Sequence, residues 1–230
     1  MDARRTTTRG ALLLALRPGG AGACVHPQDR AAQEDDMILA EQSAVAAAAL
    51  PVAELRDHLR LGAGFADDAA QDAALERFLR AAIAAAERRT GKALLARRFA
   101  LRLPGWRDPA RQVLPLAPVG ALVSAALRDG DGVALPVDAQ ALRLAADAHF
   151  PSLVPAAGGA LPRIPAGGEA EIVFDAGYAA DWAGIPADLA QAALILAAWL
   201  YEGGGEGLWP PAAAALAGPH IAPRLSGAAR

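Results

Sequence analysis

Between Ile185 and Glu202 the chain reads IPADLAQAALILAAWLYE, with no charged side chain from Leu189 to Tyr201. A helix that is apolar on every side has to be buried on more than one face, by its own domain or by neighbouring subunits. Pro186 suits the first helical position, where its missing N–H costs nothing, and Asp188 complements the positive end of the helix. Gly203, Gly204 and Gly205 stop it. The run falls well short of the roughly 20 apolar residues that cross a bilayer, which rules out a transmembrane segment here. The stretch is a buried strut, and the remaining chain has to supply its cover.

A chain of 230 residues is long enough to build that cover. Its alanine content reflects a GC-rich coding bias as much as structure, so alanine counts overstate helix propensity. The formal net charge of −3 provides no basic field of the kind that grips nucleic acid, although it does not prevent DNA from passing by. Cys24 is the single cysteine, so no intrachain disulfide forms and no oxidising compartment is needed. Residues 1–36 stand apart. Arg4 and Arg5 followed by Ala11 to Leu16 and GGAGAC imitate a secretory or lipoprotein signal, but the apolar core is short, and Arg17 and Pro18 interrupt it. The segment is expected to be a disordered extension, or a product of a misassigned start with Met37 as the natural beginning. The alternative function it suggests is an exported or lipid-anchored binding protein.

Residues 37–96 read as the N-terminal helices. Leu50 to Leu61 is a short amphipathic helix with Val52, Leu55 and Leu59 on one face. Asp67 or Asp68 caps a longer helix to about Thr90, with Leu75, Phe78, Leu79 and Ile83 inward and Glu76, Arg77, Arg80 and Glu87 outward. Gly91 ends it. Residues 97–178 then change to a two-residue period. Arg97 to Leu103 alternates with Phe99, Leu101 and Leu103 on one face, as a half-buried strand does. Val113 to Leu116, Leu122 to Leu127, Val133 to Val137 and Ala141 to Leu144 are further short strands, and Asp129-Gly130-Asp131-Gly132 is a hairpin turn. Pro151 to Gly168 reads as a loop leading to a last strand, Glu169 to Asp175, with Ile172 and Phe174 inward. The apolar helix occupies residues 179–202. Residues 203–230 form a tail with a flexible glycine-rich start, a stiff Trp209-Pro210-Pro211 and one or two helical turns over Ala212 to Leu216. The fold class is α+β: an antiparallel helix bundle, a small inserted antiparallel β unit, and a C-terminal tail that is disordered or docks on something.

Patterns that carry chemistry are scarce. His26, His58, His149 and His220 sit in no metal-ligand spacing with one another or with Cys24. Glu54 and His58 stand one helical turn apart, a spacing more typical of a surface contact than of an acid-base pair. Asp129 and Asp131 lack the later ligands of a calcium loop. The glycine clusters do not join a strand to a helix as a phosphate cradle does, and there is no nucleophile elbow. Arg88, Arg89, Lys92, Arg97 and Arg98 form the best candidate surface for an anionic partner, against the plainer reading of a solvated helix end and strand edge. Trp106 after Pro104-Gly105 reads as a turn packed on the β unit, and Trp199 and Tyr201 as core or subunit interface.

The order of these pieces resembles a known family. Glu87-Arg88-Arg89-Thr90-Gly91-Lys92-Ala93-Leu94, then Phe99-Ala100-Leu101, Leu103-Pro104-Gly105-Trp106 and Leu114-Pro115-Leu116-Ala117-Pro118-Val119, are similar to the head-to-tail connector (adaptor) proteins of long-tailed phages. So are Phe174-Asp175-Ala176-Gly177-Tyr178, Ile185-Pro186-Ala187-Asp188-Leu189 and Trp199-Leu200-Tyr201-Glu202. The similarity covers about Val52 to Glu202, and the alanine-rich bias suits the version in gene transfer agents. The Tyr-Glu-Asn-Arg ending common in that family is here Tyr201-Glu202 followed by glycines, so the arginine is absent. The resemblance implies a non-enzymatic structural protein without cofactor or metal, a homo-oligomeric, typically dodecameric ring. It would sit beneath the portal protein and above the next tail-side connector (stopper), with DNA passing through unread and no membrane contact. Leu194, Ile195, Trp199, Arg88 and Arg89 are then expected at the subunit interface. Leu208, Trp209, Leu216, His220 and Arg224 are expected in a portal-docking arm.

Overall fold

The computed structural model describes residues 37–61, 68–205 and 207–222. The signal-like segment before Met37, the cap at Asp67 and Arg224 therefore lie outside the described residues. Elements follow in the order β1 (Ile38–Glu41), α1 (Val52–His58), α2 (Asp68–Thr90), β2 (Arg97–Leu103), β3 (Gln112–Val113), β4 (Val119–Arg128), β5 (Ala134–Pro136), β6 (Leu142–Ala145), β7 (Ser152–Pro155), β8 (Glu169–Ala176), α3 (Ala187–Tyr201) and α4 (Pro211–Ala217).

The apolar strut is α3. It starts one residue later than expected: Pro186 is the N-cap, extended at ψ 130°, and Ala187 is the first helical residue. Its C-terminus is a Schellman turn. The Gly203 N–H donates to the Leu200 carbonyl at 3.2 Å and the Gly204 N–H to the Trp199 carbonyl at 2.8 Å. Gly203 sits at φ 86°, in the left-handed region where a side chain is strained. Leu189, Ala193, Leu196 and Ala197 of α3 pack with Leu75, Leu79 and Ile83 of α2 and Leu55 of α1. Fully burying leucine and isoleucine side chains contributes about 1.5–3 kcal/mol each, which explains why so short a bundle holds.

A second core lies within the β unit. The larger sheet has the order β1-β2-β8-β4-β5, and a smaller one β3-β7-β6. The central pair is antiparallel, with Phe99 opposite Phe174, Leu101 opposite Ile172 and Leu103 opposite Ala170. These residues face inward, onto Leu142 and Leu153 of the smaller sheet. The Phe99 and Phe174 rings stack with centroids 5.9 Å apart. On the opposite face Arg98 bonds to Asp175 at 2.9 Å, while Arg102 and Arg128 both reach Glu171, so the alternation is apolar inside and ion-paired outside. The hairpin joins β4 to β5, with the Asp129 carboxylate accepting from the Asp131 and Val133 N–H groups.

The structure revises the strand assignments at several points. β1 was not expected, and it places Ile38–Glu41 on the edge of the β unit's sheet rather than among the helices. The stretch read as a loop, 151–168, contains β7, which pairs with both β3 and β6. The strand expected over Val113 to Leu116 is only Gln112–Val113, and the one expected at Ala141 runs from Leu142 to Ala145.

Helical and β cores meet at a waist. Leu94 and Leu95 belong to the first core and Ala93 to the second, so the segment after α2 crosses between them. The segment after β8 crosses alongside it: the Tyr178 N–H donates to the Leu94 carbonyl and the Ala96 N–H to the Ala179 carbonyl. Gly177 at φ 138° allows the approach, because a Cβ there would lie 2.4 Å from the Ala96 Cα.

Candidate functional site

The five-residue basic cluster does not assemble. Arg97 is held by Glu87 at 2.6 Å and by Glu41 at 3.0 Å, and Arg98 by Asp175 on the outer sheet face. Glu87, expected outside, is 8% exposed because its carboxylate also accepts the Leu94 N–H at the turn into β2. Lys92 is 2% exposed and points into the protein. Only Arg88 and Arg89 remain exposed at the end of α2, and the Arg89 guanidinium lies 4.7 Å from the centroid of the Trp209 ring.

That stacking belongs to a docked tail. Ala213 and Ala217 of α4 are fully buried against Ala192 of α3, small residues that let the two helices approach closely, with Ile195, Trp209 and Leu216 partly buried around them. At the far end His220 Nε2 and Asp188 Oδ2 are 2.6 Å apart. Burial pushes the Asp188 carboxyl up, but bonding to His220 and to the Leu189 N–H outweighs it and leaves the group below the usual carboxylate range. The residues expected in a docking arm thus divide: Trp209, Leu216 and His220 hold the tail to its own chain, while Leu208 is 69% exposed. Of the interface candidates, Leu194 is covered within the chain, Ile195 is half-buried and Trp199 is 37% exposed.

Between α2, α3 and the incoming tail runs a groove of about 430 Å³ of mixed polarity, lined by Phe78, Ala84, Leu196, Leu200 and Trp209 together with Arg88 and tail glycines. Phe78, expected on the buried stripe, is half-buried there, its ring edge-on to Tyr201 at 5.6 Å.

A second surface feature escaped the sequence patterns. The buried Lys92 ammonium donates to the Ala148 carbonyl and stands 3.1 Å from His149 Nδ1. Burial lowers its pKa, opposed by the nearby Asp147 charge. Asp147 accepts the N–H groups of His149 and Phe150 at 2.8 and 2.7 Å, and these bonds hold its carboxyl below the usual range. Phe150, in this braced loop two residues before β7, is 51% exposed. The available signal was Lys92 itself, the single lysine of an arginine-rich chain.

Among the described residues no catalytic arrangement is seen at the acid-base candidates. Glu54 and His58 are both exposed on α1. Among the described residues no group of His, Cys, Asp or Glu could hold a metal ion, and no helix is long and apolar enough to cross a membrane. Trp106 packs as expected, its indole N–H donating to the Pro162 carbonyl at 2.7 Å. The arrangement offers surfaces: a groove, a docked tail and a braced aromatic loop.

No family model and no curated protein matches the chain. Solved structures do. A chain in the neck of an empty gene transfer agent (GTA) particle, computed with C6 symmetry, is 48% identical over 83% of this chain and 98% of its own, with a TM-score of 0.75. One in the virion of a native GTA particle is 49% identical with the same coverage and a TM-score of 0.72. A third, in the neck of a native particle computed with C12 symmetry, is 44% identical, again over 98% of its length, with a TM-score of 0.71.

Proposed function

The chain belongs to the head-to-tail connector family of gene transfer agents, structural components of the particle neck and not enzymes, and on that premise we propose that it forms the adaptor ring beneath the portal. The ring joins the DNA-filled head to the next tail-side connector and lets DNA through. What supports this reading is the identity of 44–49% across 98% of each matched chain, in two necks computed with C6 and C12 symmetry and in a virion. A dodecameric ring multiplies one modest contact many times, so avidity takes the place of any single strong interface. The mildly acidic chain suits a conduit that must not retain DNA. Trp199, Ile195 and Arg88 supply the accessible part of the subunit interface. Leu208 and the terminal residues, Arg224 among them, form the arm that meets the portal, with Trp209, Leu216 and His220 setting its direction. Assembly takes place in the bacterial cytoplasm.

Deletion of the gene, followed by imaging of particles from the source cell, tests the proposal. The expected result is filled heads without tails, restored by the full chain. Intact tailed particles in the deletion strain would refute the adaptor role. Loss of residues 203–230 is expected to abolish capture on purified portal, and unchanged capture would remove the docking arm alone.

A further inference from the structure

Lys92 is an expensive way to build a loop. A buried ammonium loses its hydration, and here it recovers contacts with the Ala148 carbonyl and the His149 ring. Together with the two N–H bonds to Asp147 and the Ser152 hydroxyl donating to the Phe150 carbonyl at 2.9 Å, it fixes the backbone of residues 147–150. The outcome of that rigidity is to hold Phe150 half out of the protein, where it fills no part of either core. An exposed aromatic on a braced backbone costs little further entropy on binding, the property of a contact hot spot.

The receiving surface is on the same chain. A cavity of about 150 Å³ already accommodates a benzene ring, so the groove of about 430 Å³ between α2, α3 and the tail has room for a phenyl group. The charges match as well. Asp147 beside Phe150 uses Oδ1 for the backbone bonds and, although its charge also faces Lys92, is exposed and turned to solvent, while exposed Arg88 lines the groove. We infer that the Asp147–Phe150 loop of one copy inserts Phe150 into the α2–α3–tail groove of the next, with Asp147 meeting Arg88. Knob and groove are different patches, so the contact is head-to-tail and propagates around a ring rather than stopping at a dimer. This rests on the ring reading above and adds to it the residues that make the ring.

Cross-linking tests it in the full-length chain. In a Cys24→Ser background, Ala84→Cys places a thiol in the groove and Ala148→Cys one on the loop. With a short bismaleimide under assembling conditions, the doubly substituted chain is expected to give a ladder beyond dimers, and a mixture of the two singly substituted chains to give heterodimers. Phe150→Ala, a change at an exposed side chain, is expected to leave the melting temperature unaltered and to raise the concentration needed for assembly roughly tenfold. A ring that forms without these cross-links, or forms equally well with Phe150→Ala, overturns the contact and leaves the neck role standing. A chain found in no neck and in no oligomer overturns both.

Discussion

The carboxylate of Glu87 accepts from both terminal guanidinium nitrogens of Arg97, at 2.6 and 2.8 Å, and so ties the last turn of α2 to the first residue of β2. The two side chains are 10% and 9% exposed. A third partner, Glu41 on β1, joins from the sheet edge at 3.0 Å, and Arg97 lies over the Phe99 ring at 4.9 Å. One cation therefore connects the helix bundle, the central strand and the edge strand.

Glu87→Ala leaves that cation buried with half its partners and orphans the Leu94 N–H. A loss of roughly 3–5 kcal/mol is expected in chemical denaturation. Arg98→Ala is the control. It breaks the Arg98–Asp175 pair on the outer face, where both side chains are 40% exposed or more and solvent screens the attraction, so the loss should be far smaller than that of Glu87→Ala.

The same residues show where the sequence was legible. β2 and β8 obeyed their alternation, and Phe99, Leu101, Ile172 and Phe174 all point inward as expected, because strand period is a local property. Glu87 and Lys92 did not follow local rules. A helical wheel puts a charged residue outside unless a partner arrives from elsewhere, and Arg97 and Ala148 arrive only once the chain has folded. β7 was hidden because Pro151 precedes it and Pro155 is its last residue. The edge strand β1 was hidden because all four of its residues are exposed, so it carries no burial pattern. The tail's attachment through Ala213 and Ala217 was masked by composition: in so alanine-rich a chain, two more alanines carry no weight.

Gly177→Ala is expected to be among the most damaging single changes. The glycine's φ of 138° is strained for any side chain, and the new Cβ would fall 2.4–2.6 Å from the backbone of Ala96 and Leu95. Backbone cannot rotate aside as a side chain can, so the waist has to open. The cost should be at least roughly 1–3 kcal/mol from strain alone. Weakened hydrogen-exchange protection of the Tyr178 and Ala96 amides, relative to the interior of α3, would locate the damage; uniform loss across the chain would place it elsewhere.

Acid should release the tail. The Asp188 carboxyl has a folded pKa below its unfolded value, so its contribution is fully present above the ordinary carboxylate pKa of ~3.9. It is lost as pH falls through the lower folded value. Exchange protection of the Ala213 and Ala217 amides is expected to fall in that window before the Leu79 and Ile83 amides respond. Asp188→Asn should flatten the profile. An unchanged profile in that variant would show that the bond to His220 does not hold the tail.

Ala213→Leu separates the tail's docking from the tail itself. Ala213 is fully buried where α4 meets α3, so three added carbon atoms have no space, and overpacking of this kind costs roughly 1–3 kcal/mol. The helix bundle does not depend on α4: its core of Leu55, Leu75, Leu79 and Leu189 lies on other elements. The global unfolding midpoint should therefore shift little while Trp209 leaves the Arg89 guanidinium, read as a change in its fluorescence. Portal capture then distinguishes two roles for the docked state. If α3 aims the arm, capture by Ala213→Leu should weaken at least several-fold although every arm residue but one is intact. If the docked tail only waits to be released, capture should strengthen, since the cost of undocking has already been removed.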